Sequence, residues 1–121
     1  ELVLDCEMNS ASSYAVVKAY LESGKKIPEA IFAASDVVAP GLLKALREFH
    51  IRVPEDVGVI TFNNTSLSRL SEPPLSSVEV FLLENADAAA ICMELLWQKK
   101  IHPKQIIISC RLEERGSVKK K

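Results

Sequence analysis

The chain has 121 residues, of which 15 are Lys or Arg and 16 are Asp or Glu, so its formal net charge is -1. A chain this close to neutrality lacks the strongly basic surface that binds nucleic acid through bulk charge. Hydrophobic residues make up 48% of it, but charges interrupt every apolar run before it reaches the roughly 20 residues that span a bilayer. Composition therefore predicts one soluble globular domain with no membrane partner.

The amino end shows no secretory signal, because Asp5 and Glu7 interrupt the opening apolar run. The three cysteines, Cys6, Cys92 and Cys110, are scattered and form no Cys-x-x-Cys pair. Such a set is typical of a reducing compartment rather than of a disulfide framework. We expect a cytoplasmic protein with buried, unreactive thiols.

The elements in chain order begin with a strand at 1–8, where polar and apolar residues alternate. A helix at 11–23 follows, with apolar residues at helical spacing and a stop at Gly24. The continuous apolar run at 30–34 is typical of a strand that helices bury on both faces, as in parallel sheets.

Asp36 is predicted to cap the next helix, at 37–49, whose first turn accommodates Pro40. The third strand is predicted at 57–62, and it ends at Asn63 and Asn64.

Residues 66–80 are predicted to form a connector that becomes extended near Pro73 and Pro74. Helix 83–97 has a wide apolar surface that needs cover. A last strand is predicted at 105–112, followed by a frayed terminus at 115–118.

Strands separated by helices predict an α/β fold with a mostly parallel sheet. In such a sheet the carboxyl ends of the strands share one edge, where ligands bind. The candidate residues at that edge are the polar tips of the first three predicted strands: Glu7, Met8, Asn9, Ser35, Asp36, Asn63 and Asn64.

Each candidate also has a purely structural interpretation. Asp36 serves either as a helix cap or as a ligand carboxylate, and Ser35 either as a turn residue or as a hydroxyl contact. Asn63 is suited to a sugar hydroxyl as much as to an Asx turn. Met8 either fills a gap in the core or lies against an apolar sugar face.

No catalytic constellation is visible in the sequence. It has no Gly-x-Ser-x-Gly elbow and no phosphate loop, and His50 and His102 have no ligand-like neighbour at metal-binding spacing. We therefore predict no catalytic residue, no metal and no cofactor.

Three segments, PEAIFAASD at 28–36, GLLKALRE at 41–48 and RVPEDVGVITFNN at 52–64, make the chain recognisable. With PPLSSV at 73–78 and EERGS at 113–117, they resemble the effector-binding portion of the LacI family of bacterial transcription regulators. The Phe-Asn-Asn-Thr sequence at 62–65 most resembles the maltose operon repressor subgroup.

This resemblance implies a periplasmic-binding-protein-like sensor, in which two α/β subdomains close on a small ligand, usually a sugar. It implies a parallel-sheet, carboxy-terminal subdomain at 1–77 and 105–117, with a crossover segment and helix at 78–104 that pack on the other subdomain. It further implies a cytoplasmic homodimer that binds operator DNA through a helix-turn-helix, which is absent from these 121 residues.

Carried over by position, the resemblance implies that Met8, Ser35, Asp36 and Asn63 line the effector cleft. The predicted function is sugar sensing in a transcriptional repressor, without enzymatic activity. One alternative is a fragment of a periplasmic sugar-binding protein of a transporter. Another, from a different class, is a small α/β enzyme that uses Asp36 and Asn63.

Overall fold

The computed structural model describes residues 2–99 and 105–119. In that part of the chain, helices and strands follow each other in the order α1 (Ser10–Glu22), β1 (Ala30–Phe32), α2 (Ala39–Glu48), β2 (Gly58–Phe62), α3 (Ser66–Leu70), β3 (Ser76–Glu79), α4 (Leu82–Trp97) and β4 (Arg111–Glu113).

The strands form one sheet in the order β1-β2-β3-β4. The first three strands are parallel, and β4 runs antiparallel to β3. The predicted α/β fold with a mostly parallel sheet is confirmed. The carboxyl ends of β1, β2 and β3 lie along one edge, as the candidate site requires.

One face of this sheet packs against α1 and α2. Val59 is 0% exposed and Leu46 is 1% exposed, and both belong to a core cluster that also includes Val17 of α1 and Ala33 just after β1. Burying a side chain of this size contributes roughly 1.5–3 kcal/mol. This core holds the strand ends in register.

α1 and α2 approach each other closely at Gly41. A Cβ atom at this position would overlap the carbonyl oxygen of Ser10 and the backbone nitrogen of Tyr14. Only a hydrogen atom fits there, so glycine is required for the spacing of the two helices.

The carboxyl end of the chain is anchored, and the predicted frayed terminus is wrong for its described part. Ser117 is 0% exposed; its hydroxyl accepts from the amide of Ser76 at 2.8 Å and donates to the carbonyl of Val59. The tail, residues 114–119, packs against the amino ends of β2 and β3. There the hydroxyl of Ser117 satisfies backbone groups that these strands leave unpaired.

Two strand predictions differ from the structure at the first edge of the sheet. Residues 2–8 form no strand, although their sequence alternates. β1 is confirmed but is not buried on both faces, since Ile31 and Ala33 pack towards the core whereas Phe32 is 61% exposed. A strand forms only with a hydrogen-bonded neighbour, and residues 2–8 have none in the described chain.

The connector predicted at 66–80 contains two elements. Thr65 caps the short helix α3 by accepting a hydrogen bond from the amide of Leu67, and β3 forms the extended part. The last strand is shorter than predicted: β4 begins at Arg111, and residues 105–110 have no regular structure. Residues 101–104 lie outside the described part.

The helix predicted at 83–97 is confirmed as α4, and none of its residues is buried. Trp97 is 90% exposed and Met93 is 71% exposed. An apolar surface of this kind normally packs against another element.

Replacing Gly41 with Ala tests the close approach of α1 and α2. We expect Gly41→Ala to lower the free energy of unfolding by about 2 kcal/mol, because the helices must separate to admit the methyl group. Chemical denaturation followed by circular dichroism measures this. Gly116→Ala is the matched control, since its new Cβ would lie 3.6 Å from Pro73, an ordinary contact. Equal stability of the two variants would contradict the packing described.

Candidate functional site

The site begins with two polar side chains that follow neighbouring parallel strands. Ser35 comes after β1 and Asn63 comes after β2, and the side-chain amide of Asn63 donates to the hydroxyl of Ser35 at 3.3 Å. The backbone amide of Asn63 also donates to the carbonyl of Val78 at 2.9 Å. The structure therefore brings these two predicted residues together at one edge of the sheet.

Asn63 is suited to this position by its backbone as well as by its side chain. Its φ angle is 96°, in the region that most side chains avoid and that Asn tolerates better than most residues. Asn63 is partly exposed, while Ser35 is 5% exposed and its hydroxyl also accepts from the amide of Val37 at 3.4 Å. Asn63 therefore presents its side-chain amide near the surface, whereas the hydroxyl of Ser35 is largely buried behind it.

Asp36 lies directly beneath this pair and is 0% exposed. One carboxylate oxygen accepts from the backbone amide of Thr65, and the other accepts from the hydroxyl of Ser77 at 3.2 Å. These contacts join the end of β1 to the loop after β2 and to β3. Asp36 therefore acts as the connection between strand ends.

The predicted cap of α2 by Asp36 is wrong. The helix begins at Ala39, and the capping position is Val38, which makes no side-chain cap. Pro40 does lie in the first turn, as predicted. An unpaired buried charge is costly, so a buried carboxylate needs hydrogen-bond donors. Asp36 finds its donors in other segments of the sheet and does not use the amino end of α2.

The pKa of Asp36 reflects two opposing effects. Burial raises the pKa of this carboxyl, but the nearby hydroxyl groups of Thr61, Thr65 and Ser68 and the backbone amide of Thr65 outweigh burial and hold the pKa below its ordinary value. Asp36 is therefore ionised at neutral pH.

Asn64, beside Asn63, is the centre of a second set of contacts and is 7% exposed. Its backbone amide donates to Ser77 at 3.0 Å, and its backbone carbonyl accepts from Arg69 at 2.9 Å. Its side chain accepts from Arg115 and donates to Glu79. Asn64 thus uses its backbone and side chain to connect β2, α3, β3 and the tail.

Glu79 ends β3 and leads into α4. Its side chain accepts from Asn64 and from the backbone amide of Phe81, and these two hydrogen bonds lower the pKa of Glu79. A physical connection therefore runs from Asn63 and Asn64 at the strand edge to the segment that enters α4.

Sequence reasoning missed these supporting residues. The hydroxyl of Ser77 bridges Asp36 and Asn64, and Arg115 reaches Asn64 from a tail distant in sequence. The pair of asparagines after β2 is the only feature of the local sequence that indicates this set of contacts. Neither Ser77 nor Arg115 stands out without knowledge of the strand order.

Met8 lines a cavity whose lining includes neither Ser35 nor Asn63. It is 63% exposed and lines an apolar cavity with the residues before α1. Glu7 accepts from the side chain of Asn9, the residue that caps α1. Glu7 and Asn9, predicted at the end of the first strand, therefore stabilise the start of α1.

The described residues contain no cluster of His, Cys, Asp and Glu that could hold a metal ion. Within the same part of the chain, no helix is long and apolar enough to span a membrane. The expected burial of the cysteines is wrong, since Cys6 and Cys110 are exposed and Cys92 is partly exposed.

A family model for the periplasmic binding protein-like domain matches residues 3–118. The chain belongs to the periplasmic binding protein-like domain family. Among curated proteins it is similar to the HTH-type transcriptional regulator GalR of Streptococcus thermophilus, with 38% identity over 86% of this chain and 30% of GalR. The chain thus spans about a third of that relative's length.

Solved structures of the same kind match the fold of this periplasmic binding protein-like domain. A LacI-family regulator from Sanguibacter keddieii is 28% identical, with a TM-score of 0.88 over 96% of this chain and 45% of that chain. A LacI-family regulator from Arthrobacter, in complex with lactose, is 28% identical, with a TM-score of 0.83 over 96% of this chain and 44% of that chain. The predicted LacI-type sensor fold is confirmed.

Removal of the Asp36 carboxylate tests its role as the connection between strands. We expect Asp36→Ala to lower the free energy of unfolding by about 2–3 kcal/mol, because the amide of Thr65 and the hydroxyl of Ser77 lose their acceptor. Thermal and chemical denaturation measure the change. Asp87→Ala, on the exposed surface of α4, is the matched control and is expected to leave stability within about 0.5 kcal/mol. Two variants of equal stability would contradict the role of Asp36.

The lowered pKa of Asp36 also predicts a pH dependence. Its contribution to stability is fully present above the pKa of an unfolded Asp, about 3.9, and disappears as pH falls through the lower folded value. The difference in unfolding free energy between the native chain and Asp36→Asn should therefore shrink below about pH 4. Because Asp56 and Glu79 are unchanged in the variant, the difference isolates Asp36. A difference independent of pH would contradict the prediction.

Proposed function

We propose that this domain is part of the sugar-sensing half of a LacI-type transcriptional regulator, and that Ser35 and Asn63 contact the sugar. The observation that carries this proposal is the hydrogen bond between these two side chains at the carboxyl edge of parallel strands. That edge is where open α/β sheets bind ligands. An amide and a hydroxyl each donate and accept, which suits the hydroxyl groups of a sugar.

Asp36 acts in this proposal as a positioning residue rather than as a direct ligand. Its complete burial and its contacts to Thr65 and Ser77 support this assignment. Met8 contributes an exposed apolar side chain. The sugar contact of Met8 rests on the family resemblance alone.

The effector is proposed to be a sugar, and its identity is a separate question. The lactose complex of the similar Arthrobacter regulator supports a sugar in general. The Phe-Asn-Asn-Thr sequence at 62–65 supports the maltose operon subgroup. A panel that includes lactose, maltose, galactose, ribose and glucose distinguishes these possibilities.

We further propose how sugar binding is transmitted. Asn64 connects the site to Glu79, which contacts the segment entering α4. We propose that residues 78–104 cross to a second subdomain and that the exposed apolar surface of α4 packs there. Sugar would then stabilise one closure state and so shift the populations of the parent regulator's conformations.

The rest of the function belongs to the full-length regulator. We propose a cytoplasmic homodimer whose separate helix-turn-helix domains bind operator DNA, and no enzymatic activity. The similarity to GalR and to LacI-family regulators supports this assignment over a periplasmic transporter component. The enzyme alternative has less support, because Asp36 is already fully hydrogen-bonded within the protein.

Backbone amide shifts in NMR spectra test the sugar site. A sugar from the panel should cause weak, saturable shifts at Ser35 and Asn63, weak because one side of a cleft buries only part of a ligand. Asn63→Gly removes the side chain while keeping the positive φ angle available. We expect it to raise Kd about threefold to tenfold, as for the loss of one hydrogen bond.

Ser23→Ala is the control for this experiment, because Ser23 caps the far end of α1 and its hydroxyl contacts only the carbonyl of Tyr20. It should leave the sugar-dependent shifts unchanged. A panel that shifts no amide near Ser35 and Asn63, or shifts that survive Asn63→Gly undiminished, would contradict the proposed site. Turnover of any sugar would favour the enzyme alternative.

A further inference from the structure

Arg115 binds the region around β3 with its backbone and with its side chain. Its backbone amide donates to the hydroxyl of Ser76 at 2.9 Å. Its guanidinium donates to the carbonyl of Leu75 at 2.7 Å and to the side-chain oxygen of Asn64. A guanidinium is a planar fork of donors with fixed geometry. Because one branch is held at Leu75, the other reaches Asn64 in a defined direction.

The side chain of Asn64 lies between two charged groups with opposite hydrogen-bonding requirements. A guanidinium only donates hydrogen bonds, whereas an ionised carboxylate only accepts them. Asn64 accepts from Arg115 with its oxygen and donates to Glu79 with its nitrogen. The reversed amide would place donor against donor and acceptor against acceptor. Arg115 therefore favours the orientation in which Asn64 presents a donor to Glu79.

Glu79 passes this restraint to the backbone at the entry to α4. Its second carboxylate oxygen accepts from the amide of Phe81 at 3.1 Å. Phe81 has a φ angle of 48°, in the left-handed region that bulky side chains rarely adopt. Its carbonyl accepts from the amide of Asn85 in the first turn of α4 at 3.1 Å. A backbone in this conformation persists only where its surroundings hold it, and Glu79 is part of those surroundings.

We propose that Arg115 is a positioning residue for the segment that enters α4. By fixing the orientation of the Asn64 amide, it keeps Glu79 bound to the backbone of Phe81. Among the described hydrogen bonds, those of Arg115 go to Asn64, to Leu75 and to Ser76, so its effect on Phe81 passes through Asn64. The proposal rests on the proposed function only in treating this segment as a crossover to a second subdomain. Arg115 then sets the direction in which the crossover leaves the sheet.

Hydrogen exchange at two amides separates positioning from simple anchoring of the tail. The amide of Phe81 reports on the segment entering α4, and the amide of Val59, which donates to the carbonyl of Ser117 at 2.9 Å, reports on the tail. Arg115→Met removes the donors and keeps the length of the side chain. We expect the Phe81 amide to exchange about tenfold faster in this variant, as for the loss of one hydrogen bond. The Val59 amide should change by less than about twofold, because Ser117 has its own hydrogen bonds.

Arg47→Met is the matched control for this variant. Arg47 is exposed, and its guanidinium also donates to a backbone carbonyl, that of Glu72 at 3.5 Å. Its removal should leave the exchange of the Phe81 amide unchanged. Unchanged exchange of this amide in Arg115→Met would overturn the proposal. Equal acceleration at Phe81 and Val59 would overturn it too, because Arg115 would then only anchor the tail.

A titration of the unaltered chain tests the proposal even if Arg115→Met does not fold. Lowering the pH protonates Glu79, whose pKa the hydrogen bond from Asn64 helps to hold below its ordinary value. Protonation weakens that bond, so the side-chain nitrogen resonances of Asn64 and Arg115 should both shift with the midpoint of Glu79. Arg69 of α3 and Arg111 of β4 also lie near Glu79, but arginine keeps its charge throughout this pH range.

Glu79→Gln is the control for the titration, because glutamine does not ionise. The shift of the Arg115 resonances with the midpoint of Glu79 should disappear in this variant. Arg115 resonances that do not follow Glu79 in the native chain, or that keep the same midpoint in Glu79→Gln, would overturn the proposal. None of these measurements uses a sugar, so their failure is distinguishable from a failure of the proposed sugar site.

Discussion

The buried carboxylate of Asp36 is the interaction on which the candidate site depends. A charge without access to water is stable only when donors replace its hydration. Here the donors are the amide of Thr65 and the hydroxyl of Ser77, which belong to two other segments. The requirement to satisfy one charge therefore fixes the ends of β1 and β2 relative to β3.

The placement of Ser35 and Asn63 follows from this constraint. Ser35 is the residue before Asp36, and Asn63 lies two residues before Thr65, so holding Asp36 and Thr65 together also holds Ser35 near Asn63. The hydroxyl of Ser77 serves Asp36 and Asn64 at once. The same few atoms that position Ser35 and Asn63 therefore also connect them to Glu79 and the segment before α4.

Local patterns predicted most helices and strands because propensity and periodicity are local properties. α1, α2, α4 and β2 were predicted within about two residues at each end. The sharing of an edge by Ser35 and Asn63 was predicted from the parallel arrangement of the strands, whose carboxyl ends meet at one edge. The role of Asp36 was not predicted. A helix cap is a local contact, whereas the groups that donate to Asp36 lie 29 and 41 residues away in the sequence. The anchoring of Ser117 was missed for the same reason.

The failed strand at 2–8 has a different cause. Its polar and apolar residues alternate as in a strand. A strand also needs a hydrogen-bonded neighbour, however, and the sequence of the segment alone does not show whether one is present. α4 is the opposite case: its apolar surface was predicted to need cover, and in the described chain it has none.

The most direct test of the central claim is the titration of Asp36 followed through its carboxyl carbon by NMR, with the amide proton of Thr65 observed in parallel. The account predicts a midpoint below that of an ordinary Asp and a shift of the Thr65 amide with the same midpoint. A midpoint at or above the ordinary value, or a Thr65 amide that does not respond, would contradict it.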